Sequence, residues 1–442
     1  MLLPLELFTA ILGITILHRE VIRNRFHNYA TSVFLICFVP LFCVYPVAAR
    51  IVIGGAYAVG KFNEEIVPDP IVYLIYQLFC IGTLATVAMT MPKTVKVLAI
   101  PGWTDKYSTN ILELGALTGI ALSGVFLFIY STGMSIGDLI SGSRFGWFNE
   151  QGYSSGLFVV STYLFALSPV ALLLCFANTR YRWPATIGII AVLVLYGLVT
   201  KDRKWLIYIM SASLGYLYVS NQFSIKIHRN AIIIGGVALL AMIFWQVFRG
   251  VLFNYYLTGN GDISYEIQKT AIDLLTKGDL PYYYNASITA IDMNLNFDFG
   301  IPFGIVRRQL LFFLPADYSL GLKVEDISAL FSDAIGGEDS TRRGNMPPGY
   351  FGLFAISFGW FGGIAACSLM PLAIRALDRV IQRNRGLGSI VLLAHMFSSV
   401  LLLLRGDDSS ATYFIISSTL FIYIARPKLA LSTQSSHLHR SL

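Results

Sequence analysis

The sequence predicts an all-α polytopic membrane protein with about 11 transmembrane helices (10 to 12) and one large extracytoplasmic loop. Of its 442 residues, 55% are hydrophobic and only 13% are charged, and the mean hydropathy is +0.65. Soluble domains carry about 25% charged residues, so this composition excludes a soluble globular protein. The apolar runs approach the ~20 residues that a helix needs to cross a bilayer, and they lack the alternation of a membrane barrel.

Eleven apolar segments are long enough to be spans. They cover residues 1–17, 30–57, 70–91, 110–131, 155–177, 184–200, 205–220, 231–249, 350–374, 389–404 and 411–425. The first lacks a basic start and an Ala-x-Ala-like end, so we expect no cleaved signal peptide. Five cysteines lie in apolar runs without metal-ligand spacing, which is typical of small buried hydrophobic residues.

Basic residues gather in alternate connections between these spans, and cytoplasmic loops collect Lys and Arg. The connections carry Arg19, Arg23, Arg25, Lys93, Lys96, Lys106, Arg180, Arg182, Lys226, Arg229, Arg375, Arg379, Arg383 and Arg385. This pattern predicts an extracytoplasmic amino terminus and a cytoplasmic carboxyl terminus. The predicted domains are a helix bundle at 1–249, the large extracytoplasmic loop with short helices at 250–349, further spans at 350–425 and a cytoplasmic tail at 426–442.

Several basic residues fall on the outer face, against the charge rule. The candidates are Arg144, Arg203, Lys204, Arg249, Arg307, Arg308, Arg342, Arg343 and Arg405. A planar guanidinium group suits bidentate capture of phosphate, and several together can hold a pyrophosphate. In the alternative interpretation each base pairs with a neighbouring carboxylate or extends to a lipid phosphate. For the dense turn at 201–204, a second alternative is that the flanking helices are misassigned and the turn is cytoplasmic.

Aromatic and acidic residues complete the candidate site. Tyr350 follows Pro347-Pro348-Gly349, and aromatic faces of this kind stack on sugar rings, although membrane interfaces are rich in aromatics too. Glu338, Asp339, Asp407 and Asp408 are the candidate acid or base residues, with a structural role as the alternative for each. The outer face has no histidine and no Asp-x-Asp, so we predict no metal and no other cofactor.

These features resemble the bacterial oligosaccharide repeat-unit polymerases, the Wzy-type O-antigen and capsule polymerases. The resemblance is carried by the architecture and by three local stretches: Ser143-Arg144, residues 301–315 with Arg307-Arg308, and Met346 to Tyr350 before a glycine-rich helix. It implies a metal-independent membrane glycosyltransferase of the GT-C type. Such an enzyme joins undecaprenyl-pyrophosphate-linked oligosaccharides on the outer face of the bacterial inner membrane, in lipopolysaccharide or capsule biosynthesis.

The resemblance implies lipid-linked oligosaccharides, membrane lipid and a chain-length regulator protein as partners. An O-antigen ligase is the nearest alternative, but those enzymes are associated with a histidine in the large loop, and this loop has none. A transporter or flippase of lipid-linked sugars is less consistent with an asymmetric chain whose charges lie at the outer ends of spans. A non-enzymatic assembly protein is a further alternative. The P-loop and dinucleotide fingerprints are absent, and we expect no nucleic-acid partner.

Overall fold

The computed structural model describes most of the helical part of the chain. Described are residues 2–23, 27–53, 57–58, 65–66, 69–91, 111–141, 155–177, 182–200, 204–219, 244–245, 247–248, 251, 255, 262–265, 267, 279–296, 298–311, 321–322, 327–336, 347–383 and 387–407. The chain forms two compact units from segments distant in sequence. Unit 1 comprises residues 1–98, 267–379 and 399–412, and unit 2 comprises 99–266, 380–398 and 413–442.

The described elements are mostly α-helices. In chain order they are α1 (Leu2–Leu17), a π-helical turn (His18–Arg23), α2 (Tyr29–Phe38), a second π-helical turn (Val39–Val44), α3 (Tyr45–Ile53), β1 (Tyr57–Ala58), β2 (Glu65–Ile66), α4 (Pro70–Thr90), α5 (Ile111–Thr132), α6 (Ile136–Ser141), α7 (Ser155–Phe165), α8 (Ser168–Ala177), α9 (Arg182–Thr200), α10 (Lys204–Val219), α11 (Asp279–Asn296), α12 (Gly304–Leu310), α13 (Ile327–Gly336), α14 (Gly349–Arg383) and α15 (Leu387–Arg405). The two short strands pair antiparallel.

In unit 1, a proline shapes the span formed by α2, the second π-helical turn and α3. Pro46 has no N–H group, so it cannot give the carbonyl of Phe42, four residues earlier, the usual α-helical hydrogen bond. The Tyr76 hydroxyl of α4 donates to that carbonyl at 3.0 Å, and the Cys80 thiol approaches it at 3.6 Å. Just before the proline, the Tyr45 N–H bonds to the Pro40 carbonyl in the π-helical pattern. The Phe42 carbonyl, four residues before the proline, thus ties this span to α4.

Helix α11 lies inside unit 1, although it belongs to the predicted extracytoplasmic loop. Every residue from Tyr284 to Ile291 is buried, and the helix packs against α3, α4 and the second π-helical turn. Ala286 and Ala290 of its other face join Phe331 of α13 in a small apolar core. The segment of the loop that enters among apolar spans is thus residues 279–296. The sequence predicts this segment as part of the large loop at 250–349 and not as one of the spans.

Helix α14 is broken at Gly359, which has φ 69° and ψ 167°. The break removes the helical N–H partners of the preceding carbonyls. The chain just before α12 replaces them, because the Ile301 N–H donates to the Ile356 carbonyl at 2.8 Å and the Phe303 N–H donates to the Ser357 carbonyl at 2.7 Å. Helix α12, which carries Arg307 and Arg308, is therefore hydrogen-bonded to the first half of α14.

In unit 2, α5 packs along α7 and α9. Gly124 permits the close approach of α5, since a Cβ there would lie 2.8 Å from the Phe165 amide nitrogen. The Phe165 ring stacks on Tyr196 of α9, with ring centroids 3.6 Å apart. The predicted span 155–177 is divided into α7 and α8 because Pro169 cannot donate to the Phe165 carbonyl, and the Ser168 hydroxyl donates to it at 2.6 Å instead.

The fold confirms a helical protein of the membrane class. Within the described residues, five helices are long and apolar enough to cross a bilayer: Tyr29–Ile51, Pro70–Thr90, Leu114–Thr132, Trp183–Thr200 and Gly349–Gln382. Two shorter apolar helices cover Val160–Phe176 and Ile390–Arg405. The total of eleven spans stays a prediction, because the segment 411–425 and most of 231–249 lie outside the described residues.

Candidate functional site

The structure describes six of the predicted site residues. Arg307, Arg308, Tyr350, Arg405 and Asp407 belong to unit 1, and Lys204 belongs to unit 2. Lys204 is half-buried at the first residue of α10. The candidates that lie outside the described residues are Arg144, Arg203, Arg249, Glu338, Asp339, Arg342, Arg343 and Asp408. Most of the described site residues therefore belong to unit 1.

Helix α15 ends in a Schellman motif that fixes the direction of Arg405. The Asp407 N–H donates to the Leu402 carbonyl at 3.1 Å, and the Gly406 N–H donates to the Leu403 carbonyl at 2.9 Å. Gly406 takes the left-handed conformation that this motif requires, with φ 84°. The backbone on both sides of the Arg405 side chain is consequently held in one conformation.

Two glycine backbones meet at this helix end. A Cβ placed on Gly406 would lie 2.5 Å from the carbonyl oxygen and 2.6 Å from the nitrogen of Gly349, the first residue of α14. A Cβ placed on Gly349 would in turn lie 2.7 Å from the Tyr283 carbonyl oxygen and would overlap Ser287 of α11. We call this three-way contact of α11, α14 and α15 the glycine junction. It joins chain segments that are far apart in the sequence.

At the glycine junction, Arg405 lies over an aromatic ring. Its guanidinium carbon is 5.9 Å from the centroid of the Tyr282 ring, within cation–π range. The Tyr282 hydroxyl donates to the Pro347 carbonyl at 2.6 Å, which fixes the ring beside the start of α14. Both side chains are half-buried. Guanidinium groups bind phosphate oxygens through their N–H groups in bidentate geometry, and Arg405 is the cationic group of this junction.

Tyr350 belongs to the core of unit 1. Its side chain has 0% exposure and packs edge-on against Phe34, Phe38 and Phe42 of the neighbouring span. The adjacent Phe351 continues this ring cluster. Such aromatic contacts stabilise a core beyond the area that they bury. Tyr350 therefore belongs to the buried core next to the glycine junction. Stacking of Tyr350 on a glycan stays a prediction, and a side chain with 0% exposure does not favour it.

The two neighbouring arginines of α12 have different surroundings. The Arg307 Nε–H donates to the Leu322 carbonyl at 2.9 Å, and a second guanidinium nitrogen lies 3.5 Å from the Gly321 carbonyl. Arg307 therefore holds the turn at residues 321–322, which follows α12 in the chain. Arg308 is half-buried and makes neither of these two contacts. Of the pair, Arg307 has a visible structural role.

We expect Arg307→Gln to loosen this turn, because the hydrogen bonds of a charged donor to two carbonyls are lost. At about 1.5–3 kcal/mol for hydrogen bonds to a charged group, local opening should increase by about tenfold or more. The measurement is the rate of tryptic cleavage after Lys323 under native conditions. Arg308→Gln removes the same charge and leaves both contacts in place, so its rate should stay near that of the wild type. Equal rates in the two variants would contradict the anchoring role.

One charged pair at the predicted outer end of unit 1 was not among the sequence candidates. Arg50 of α3 donates to both carboxylate oxygens of Glu6 in α1, at 2.6 and 2.7 Å, and Glu6 is almost completely buried. Arg50 also lies over the Tyr73 ring, 5.2 Å from its centroid. The sequence does carry a signal for this pair, because Glu6 and Arg50 each lie inside a predicted span. Charged side chains inside spans are rare and usually pair with one another.

A comparison of the chain with protein-family models, curated proteins and solved structures gives no match. Among the described residues, no group of three or more His, Cys, Asp or Glu side chains is placed to hold a metal ion. The fold and the site geometry therefore define only the class of the protein, which is a multi-pass helical membrane protein. Its glycine junction in unit 1 carries an arginine that lies over a tyrosine ring.

Proposed function

We propose that this protein is a membrane glycosyltransferase that polymerises undecaprenyl-pyrophosphate-linked oligosaccharide repeat units on the extracytoplasmic face of the bacterial inner membrane. The observation that carries the proposal is the position of Arg405 on the Tyr282 ring at the glycine junction. In the predicted topology this junction lies at the outer membrane boundary, the depth at which the pyrophosphate of a lipid-linked sugar is found.

The proposed reaction makes one glycosidic bond and breaks one phosphoester bond. The hydroxyl oxygen of an acceptor sugar bonds to the anomeric carbon of the growing glycan. The bond from that carbon to the pyrophosphate oxygen breaks, and undecaprenyl pyrophosphate leaves with the electron pair. The hydroxyl proton passes to a carboxylate, for which Asp408 and Glu338 are the candidates.

In this proposal the arginines supply the electrostatic stabilisation. Negative charge develops on the departing pyrophosphate, and a fixed guanidinium group stabilises that charge without reorganising. Arg405 is the leading candidate because its backbone and its supporting ring are both held in place. Arg308 of α12 is the second candidate, since the first half of α14, which positions Arg405, is also hydrogen-bonded to the chain just before α12. The candidate base Asp408 lies close to Arg405 in sequence, separated from it only by Gly406 and Asp407.

We expect Arg405→Ala to reduce polymerisation by about 10²- to 10³-fold, the usual effect of removing one such charge-stabilising group. Arg405→Lys should recover only part of this loss, because lysine keeps the charge but lacks the planar guanidinium group that binds phosphate oxygens in bidentate geometry. The measurement is the glycan length distribution of cells that carry each variant at equal protein level. Arg383→Ala, on the predicted inner side, is the control and should leave the ladder unchanged.

The outcomes separate the candidate functions. A ladder that collapses to single repeat units in Arg405→Ala supports the polymerase. Long chains that form but stay unattached to their final acceptor would indicate a ligase instead. An unchanged ladder in Arg405→Ala, Arg308→Ala and the double variant would overturn the proposal and leave transport as the next hypothesis. Tyr282→Phe keeps the ring and loses only the hydroxyl contact, so it should retain more activity than Tyr282→Leu.

A further inference from the structure

At one end of unit 1, buried polar contacts join the first π-helical turn, α2 and α14. Glu20 is completely buried, accepts a hydrogen bond from the Asn28 amide at 2.5 Å and lies 3.7 Å from the Arg375 guanidinium group. Asp378 accepts from the Ala30 N–H at 2.6 Å and from the Thr31 hydroxyl at 2.6 Å. These contacts fix the three elements against one another, including the exposed side chains that they carry.

Three exposed arginines surround these buried contacts. Arg19 and Arg23 lie on the π-helical turn, and Arg379 lies one helical turn beyond Arg375 on α14. Within the described part of the chain, none of the three has an ion-pair partner. Arg375 is buried, and its Nη2 atom has no hydrogen-bond partner among the described residues. We call the region of these four arginines the arginine end.

The charge of the arginine end is neutralised only in part from within, because Glu20 pairs with Arg375 and the three exposed arginines have no ion-pair partner among the described residues. Its nearby carboxylates, Glu20 and Asp378, are both buried and accept hydrogen bonds from other groups of the same network. Burial lowers the pKa of His27 below its usual value, with Arg375 acting in the same direction and Glu20 against it. This imidazole is therefore mostly neutral at pH 7, and the positive charge comes from the arginines.

Exposed apolar stripes lead to the arginine end along two helices. On α1, Leu7, Ile11 and Ile14 are 41%, 63% and 51% exposed, and their spacing places them on one helix face before the π-helical turn. On α14, Leu369 and Leu372 are 60% and 44% exposed and precede Arg379 on the same face. Each helix therefore presents an apolar track that ends in a cationic group.

We propose that the arginine end binds the headgroup phosphate of an anionic phospholipid of the phosphatidylglycerol type, with its acyl chains on the exposed faces of α1 and α14. Guanidinium groups match phosphate oxygens in bidentate geometry, and the apolar tracks match acyl chains. The uncompensated charge favours a lipid of net negative charge over a zwitterionic one. This inference is independent of the proposed glycosyltransferase activity.

The test measures lipid preference in micelles of the purified full-length chain. Spin-labelled phosphatidylglycerol is compared with spin-labelled phosphatidylcholine, and the readout is the ratio of protein-bound to free label for each lipid. We expect the wild type to prefer phosphatidylglycerol. Replacement of Arg19, Arg23 and Arg379 by Gln should reduce this preference by about fivefold for each arginine changed, from the attraction of a basic residue to anionic lipid.

Two controls keep the test decisive. The variant with all three arginines changed to Lys keeps the charge and should keep most of the preference. All three side chains are exposed and unpaired within the described residues, so the Gln variant should unfold at nearly the wild-type midpoint. An equal preference in wild type and Gln variant would overturn the proposal. Displacement of the bound label by inorganic phosphate alone would overturn it too, in favour of a site for a soluble anion.

Discussion

Gly406→Ala should destabilise the folded protein by about 2–5 kcal/mol, from the strain of a left-handed alanine and the overlap of its Cβ. Gly406 has φ 84°, and a Cβ there would lie 2.5 Å from the Gly349 carbonyl oxygen. The added Cβ would also lie 2.6 Å from the Gly349 nitrogen. Both atoms belong to the backbone of Gly349, so they cannot move aside as a flexible side chain could. The measurement is the denaturant midpoint of the purified protein in micelles, together with its yield in membranes.

Gly119→Ala is the matched control for this prediction. Gly119 lies within α5, where an added Cβ would meet nothing within 4 Å. Alanine should therefore be neutral or stabilising there, by up to about 1 kcal/mol. Gly406→Asn separates the two causes, because asparagine tolerates the left-handed conformation but still carries a Cβ. If Gly406→Ala and Gly119→Ala unfold at the same midpoint, the glycine junction is not tightly packed.

Asp378→Ala should cost about 3–5 kcal/mol, because it removes an acceptor of several buried donors and leaves the charge of Arg375 less balanced. One carboxylate oxygen accepts from the Ala30 N–H, and the other accepts from the Thr31 N–H and hydroxyl. These are the first N–H groups of α2, so a side chain of α14 caps that helix from outside it. The expected result is a lower unfolding midpoint and easier separation of α2 from α14.

Asp378→Asn is the informative companion variant. Its amide oxygen can replace one carboxylate oxygen, while its amide nitrogen cannot accept from the Thr31 N–H, so an intermediate loss is expected. Asp138→Asn serves as the control, since Asp138 is exposed and its carboxylate accepts from the hydroxyl of the nearby Ser135, whose oxygen accepts from the Asp138 N–H in turn. Its effect should stay within about 0.5 kcal/mol. A full loss in the control, or no loss in Asp378→Ala, would contradict the capping role.

The two largest predicted effects concern contacts that join distant parts of the chain. The glycine junction connects α15 with α14 and α11, and the Asp378 cap connects α14 with α2. Helix α14 takes part in both, at its start and near its end. Its break at Gly359 lies between them and receives the donors of Ile301 and Phe303. The half of α14 before the break therefore positions both Arg405 and the arginines of α12.

Much of the fold could be predicted from local sequence. A bilayer requires helices whose backbone groups are satisfied within the helix, so the apolar run at 70–91 predicts α4 (Pro70–Thr90) closely. The capping signal at its start is also local, because Asp69 precedes Pro70 and its side chain accepts from the Ile71 N–H at 3.0 Å. The Pro347-Pro348-Gly349 stretch likewise marks the start of α14.

The tertiary structure decided which polar residues come together. Glu6 and Arg50, or Tyr282 and Arg405, are far apart along the chain, and no periodicity of either segment indicates their contact. Helix α11 was missed because its mean hydropathy is low, and its burial comes from the helices around it. The sequence by itself determined a helical membrane protein with basic residues at helix ends. Packing alone decided that Tyr350 is core while Arg405 lies half-buried on a ring, because burial depends on neighbours that are distant in sequence.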